Sequence, residues 1–193
     1  MAGIGSARWW LPACCLLILA ASVPAGAARV TLTAEDTGYI ESDEPPYEGR
    51  VLVRFAIPEE LRTGSIDLAV LELRAPVSSD GHASRVALEA HPLTTEWDGG
   101  TVDWDGAWTT PGGDFDASMQ AVWFAQPGEA SVVRFDVTEV VAAWALGDLA
   151  NHGVLVAIEP GAPGYIGQAD DGGAGTRDPV LRVWHSSGGE GDR

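Results

Sequence analysis

Four kinds of side chain in this sequence could do chemistry. Trp97, Trp104, Trp108 and Trp123 fall in or beside one long stretch without strand periodicity, and Tyr39, Tyr47 and Trp184 lie elsewhere. Aromatic faces cover the apolar C–H faces of pyranose rings, and contacts of this general kind bring about 0.5–1.5 kcal/mol beyond area burial. The same residues also serve as apolar anchors that fasten a loop over a core. Trp108, Trp123, Trp184 and Tyr39 are the candidates for ligand contact. Arg54, Arg74 and Arg85 occupy outward positions on candidate strands. If those strands are neighbours, three guanidinium forks line one sheet face and suit carboxylated or sulfated sugars. The competing expectation is cross-strand pairing with Glu72 and Glu89.

Acidic residues form two Gly-rich groups, one holding Asp98, Asp103, Asp105, Asp114 and Asp116, the other Asp170, Asp171 and Asp178. Calcium takes roughly six to eight oxygen ligands. Asp103 and Asp105 are the pair that could approach one such ion, although no EF-hand loop is present and turn-forming Asp and Gly give the same pattern. His82, His91, His152 and His185 lack the convergent spacing zinc requires, and are expected in turns and at the surface. Carboxylates are numerous enough to approach in glycosidase-like pairs by coincidence. Neither a Gly-x-Ser-x-Gly elbow nor a phosphate-binding loop occurs, and the chain has no lysine to serve the latter. No residue is assigned to catalysis, the chain is expected not to be an enzyme, and calcium is the one cofactor considered.

Export and charge set the outer bounds. Arg8 precedes an apolar run from Trp9 to Val23, and small residues at Ala25, Gly26 and Ala27 predict signal cleavage before Ala28. Its leucine-rich heart is shorter than the roughly 20 residues of a spanning helix. A signal peptide over 1–27, a secreted or cell-surface location and no stable membrane insertion follow as expectations. Both cysteines, Cys14 and Cys15, lie in that segment, so the mature domain must hold together without a disulfide. The chain carries 11 basic and 28 acidic residues, a net charge of −17; removing residues 1–27 leaves ten arginines and a charge of −18. Such a surface repels nucleic acid and anionic membrane.

These residues must be positioned by strands. Val30 and Leu32, Val51, Val53 and Phe55, Ala69, Leu71 and Leu73, Val86 and Leu88, Val133 and Phe135, Val154 and Val156, and Leu181 and Val183 all alternate with other side chains at period two. Between His91-Pro92 and about Ala121 the alternation stops, and a loop that long either carries function or packs as a cover. Val137, Val140, Val141 and Trp144 share one helical stripe, predicting a short helix over about 137–146. Asp136 and Glu139 have capping-box spacing, with Thr138 the rival N-cap, and Gly147 is placed to end the helix. The reading is an all-β, jelly-roll-like antiparallel sandwich over 28–185, preceded by a signal helix and followed by a disordered tail over 186–193.

The order of short strings resembles the DNRLRE family of extracellular domains, which includes disaggregatase-related repeats and alginate-binding modules. The strings are AEDTGYI (34–40), VLVRFAIP (51–58), AVLELR (69–74), the tryptophan loop over 96–108, PGGDFD (111–116), FDVTEVVAAW (135–144), NHGVLV (151–156) and RDPVLRV (177–183). The resemblance implies an extracellular jelly roll that accompanies glycan-active or surface proteins, and structural places for Trp97, Trp104 and Trp144. The expected function is carbohydrate binding without turnover. The alternative is a structural or assembly domain of the cell surface contacting other proteins.

Overall fold

Side chains alternating in and out at period two mark β-strands, and the computed structural model is built from them. It describes residues 27–45, 47–79, 84–106, 108–127, 131–160, 162, 165–167 and 178–187. Residues 1–26, which hold all but the last residue of the expected signal peptide, lie outside that set, as do His82, Asp170, Asp171 and residues 188–193. In chain order the elements are β1 (Ala28–Thr33), β2 (Asp36–Glu41), β3 (Gly49–Arg54), α1 (Glu59–Arg62), β4 (Gly64–Ala75), β5 (Val77–Ser78), β6 (Val86–Pro92), β7 (Ala121–Ala125), β8 (Ser131–Asp136), α2 (Thr138–Leu146), β9 (Val154–Ile158), β10 (Tyr165–Ile166) and β11 (Val180–Ser187).

One sheet has the order β1-β11-β4-β8 and the other β2-β3-β9-β6-β7, with β5 and β10 a separate small pair. Every pairing is antiparallel. Setting aside β2 and the β5–β10 pair leaves eight strands. Renumbered along the chain, they run 1-8-3-6 in one sheet and 2-7-4-5 in the other, a jelly-roll connectivity in which the chain repeatedly crosses between sheets.

The inward side chains predicted from alternation meet between the sheets. Leu71, Leu73, Phe135 and Leu181 from the four-stranded sheet pack with Val53, Leu88, Val154 and Val156 from the five-stranded one. Apolar contact of this kind, worth about 25 cal/mol per Å² removed from water, does the work that no disulfide does. Helix α2 adds Val140, Val141 and Trp144 to the same core. It begins at Thr138, whose N–H donates to the Asp136 carboxylate at 3.1 Å. Its start is stitched to β4: the Val137 N–H donates to Ala69 O at 2.9 Å, and the Ala69 N–H to Thr138 Oγ1 at 2.9 Å. Gly147 ends it at φ 80°, the left-handed conformation that glycine adopts without a Cβ clash.

Two expectations change. Strand β11 runs through Ser187, and Ser186 Oγ donates to the Asp67 carboxylate, so the folded domain continues past 185 and its last strand includes the first two residues assigned to the tail. His91 is buried rather than at the surface, bonded through Nε2 to Glu89 at 3.1 Å and set 4.6 Å from the Phe115 ring. Its alternation partner on the inner face is Ala90, so His91 points to the sheet's outer side, where the long loop covers it. Among the described residues, no helix is long and apolar enough to cross a membrane.

Candidate functional site

Leu52 and Leu155 alternate with the core residues of β3 and β9, so they point away from the sandwich, yet neither is exposed. The loop between β6 and β7 explains this. Leu93 and Trp97, with Val102, Trp104, Trp108 and Phe115, pack on Ile40, Leu52 and Leu155 as a second apolar layer. Trp97 Nε1 donates to His152 O at 2.6 Å, and Trp108 Nε1 to Asp103 O at 2.8 Å. The Asp114 carboxylate ties the loop's far turn by accepting the N–H groups of Thr109 (2.7 Å) and Thr110 (3.0 Å) and the Thr95 hydroxyl (3.0 Å). Those bonds, the Thr109 N–H foremost, hold its pKa below the ordinary aspartate value.

That layer consumes several candidates. The Arg54 guanidinium sits 5.4 Å from the Trp97 ring, donates to Trp97 O at 3.1 Å and pairs with Asp36 at 3.2 Å. Arg50, not singled out from sequence, does the same beside it: 4.8 Å from the Trp104 ring, bonded to Gly112 O at 2.8 Å and to Glu48 at 2.9 Å. Arg50 and Arg54 lie four apart on β3 and so point to one side, the signal that would have found them as a pair. Trp108 belongs to the second layer and Trp123 packs against the main core. The Tyr39 hydroxyl is committed to the Tyr165 hydroxyl and to Ile166 O (3.2 Å); burial first, then that pairing, pushes its pKa well above the phenol value.

Arg54, Arg74 and Arg85 do not line one face. Strand β3 lies in the five-stranded sheet, Arg85 directly precedes β6 of that sheet, and β4 with Arg74 lies in the other. Nor do the expected acids pair with them. Glu89 meets His91, and Glu72 takes Arg134 (2.9 Å) and Arg182 (2.8 Å), neither of them anticipated.

A different arginine face results. On the outer side of the four-stranded sheet, register sets Arg29 opposite Trp184 and Trp184 opposite Leu68. Arg182 stands between Thr31 and Val70, Glu72 between Val180 and Arg134, and Arg74 opposite Val132. Four of the eight arginines among the described residues therefore share this face, with Glu72, Asp136 and Asp178 as acids on or bordering it. Trp184 belongs to neither apolar cluster. Both arginines reach one oxygen of Glu72, and the Arg182 bond foremost holds that carboxyl below the ordinary glutamate range. Arg74 has no carboxylate partner among the described residues, and its buried Nε has no hydrogen-bond partner. It borders a shallow depression of about 50 Å³ shared with Arg182 and Asp178.

Asp103 and Asp105 are exposed and border a depression with Glu41, Asp43 and Trp104. Among the described residues, no three His, Cys, Asp or Glu side chains converge as a metal-binding group. Asp116, in the same stretch, serves its own turn by accepting from the Ser118 N–H and hydroxyl. No protein-family model matches the chain. No curated protein matches it either.

Proposed function

We propose that this is an exported, non-catalytic domain that binds anionic polysaccharide on the open face of its four-stranded sheet. The observation that carries this reading is the placement of Arg29, Arg74, Arg134 and Arg182 on the same sheet face as Trp184, in a chain whose net charge is −17. A protein this acidic gains nothing in solubility from gathering its few cations. Guanidinium forks match carboxylate and sulfate oxygens bidentately, and an indole face offers a stacking surface for the sugar ring. The export segment and the resemblance to extracellular glycan-associated domains agree with the proposal.

The test is the affinity of the protein for a polyuronate, with Arg74→Ala and Arg85→Ala compared. Arg74 has no ion pair among the described residues, so its removal reads on the ligand, with a melting curve of the variant checking that the fold is kept. Losing one charged hydrogen-bond donor costs about 1.5–3 kcal/mol, or about ten- to a hundredfold in Kd, and raised salt weakens the remaining binding. Arg85→Ala is expected to bind unchanged. Equal affinity of both variants, or no polyanion binding at all, rejects the reading.

One observation favours the alternative of a protein-contacting surface domain. Val122 and Phe124 are exposed on β7, an edge strand of the five-stranded sheet, Phe124 to 60%. Unpaired edges bearing apolar side chains are places where chains associate. Concentration-dependent self-association abolished by Phe124→Ser would support this second reading, and a strictly monomeric protein counts against it.

A further inference from the structure

A separate cleft of about 300 Å³ opens on the other side of the sandwich, where β3, β9 and β10 meet. That volume is at the small end of ligand pockets, roughly 300–1,000 Å³. Among the described residues its apolar walls include Tyr47, Tyr165, Ile158 and Pro160, and its polar ones Glu48, Arg50 and Glu159. Tyr47 is 60% exposed at the mouth of the cleft.

The polar groups define what can enter. The Arg50 charge is already matched: its Nη2 meets Glu48 at 2.9 Å, Nη1 meets Gly112 O, and its plane lies over Trp104. Its Nε–H is buried and has no hydrogen-bond partner. The Glu159 carboxylate has no ion pair among the described residues. The cleft therefore offers a free carboxylate acceptor and aromatic surface, with a net negative charge. A uronate or sulfate is repelled there. An uncharged pyranose fits, because its vicinal hydroxyls both donate and accept while its C–H face covers a phenol ring.

We infer that the Tyr47–Tyr165 cleft is a second glycan site, one that takes a neutral hexopyranose. This stands apart from the arginine face. The two would let one small domain hold a neutral and an anionic glycan on opposite sides, or two parts of a mixed chain.

Calorimetric titration of the full chain with neutral hexa-oligosaccharides (β-1,4-gluco, β-1,3-gluco and β-1,4-manno) and a hexauronate tests this. At least one neutral oligosaccharide is expected to bind, with Tyr47→Ala weakening it about tenfold, Glu159→Gln weakening it measurably, and Arg74→Ala leaving it unchanged. Tyr47 and Glu159 are exposed, so melting curves of both variants are expected to overlay the parent curve. Binding of no neutral sugar overturns the inference, as does neutral binding indifferent to Tyr47→Ala, or hexauronate binding lost on Tyr47→Ala. Because polyuronate affinity is read on Arg74 and neutral-sugar affinity on Tyr47, either site can fail while the other stands.

Discussion

Leu155→Ala measures whether the tryptophan loop is a structural layer or a loose flap. Leu155 is fully buried on the outer side of β9, flanked by Leu52 and roofed by Leu93 and Trp97. Truncation removes three carbons from contact, worth about 0.8 kcal/mol each on transfer, and leaves a cavity the paired sheet cannot close. Comparable core truncations cost about 2–5 kcal/mol, and the rigidity of a paired strand on one side and a pinned loop on the other places this one near about 3 kcal/mol. For a domain of this size the melting temperature should fall by about 6–12 °C. Differential scanning calorimetry and urea unfolding provide the measurement, with Leu71→Ala in the main core as reference. A drop under about 2 °C, in the range of ordinary surface substitutions, would refute a sealed second layer.

Three further outcomes follow from named contacts. Gly153 sits at φ 93° with an added Cβ only 2.4 Å from Val53 O, whereas Gly147, at φ 80°, has open space around it; Gly153→Ala should cost more than about 2 kcal/mol and Gly147→Ala about 1, compared by urea unfolding. Glu72→Gln frees Arg134 and Arg182 from their shared partner; since Arg134 is half exposed, stability should fall by only about 1 kcal/mol, while polyuronate affinity rises, and an unchanged or weaker affinity counts against the arginine face. Glu72 and Asp114 titrate below their ordinary values of 4.5 and 3.8 when folded, so their stabilisation is complete above those values and is lost as pH falls through the lower folded ones. Acid unfolding should then be less steep in a Glu72→Gln/Asp114→Asn double variant, and parallel curves would show that neither carboxylate contributes.

Local periodicity was enough to read most of the longer strands and the helix, because a side chain's in-or-out direction depends only on its own strand. Ala69, Leu71 and Leu73 all face the core, and α2 starts within one residue of its predicted position. Which strands are neighbours is a non-local matter. Arg54 and Arg74 alternate identically, yet jelly-roll crossing sends β3 and β4 to opposite sheets. Arg134 and Arg182 obey the same alternation against Val133, Phe135, Leu181 and Val183, so they were legible as outward residues; only the register brings them to Glu72. The tryptophans divide for a related reason. The outer sides of β3 and β9 carry Leu52 and Leu155, an apolar surface that needs a cover, and the loop supplies Trp97, Trp104 and Trp108 to it. Trp184 alternates on the outer face of the four-stranded sheet, where it is half-buried and belongs to neither cluster. The two-residue strands β5 and β10, which help shape the Tyr165 cleft, are too short to show any period.

The arginine face is tested most directly by titrating ¹⁵N-labelled protein with a hexauronate and following its indole and guanidinium N–H resonances. The Trp184 indole and the Nε–H signals of Arg74 and Arg182 should shift together and saturate, while the indoles of Trp97, Trp104 and Trp108 stay in place. Perturbation confined to the loop tryptophans, or a spectrum indifferent to the sugar, would contradict the assignment of that sheet face.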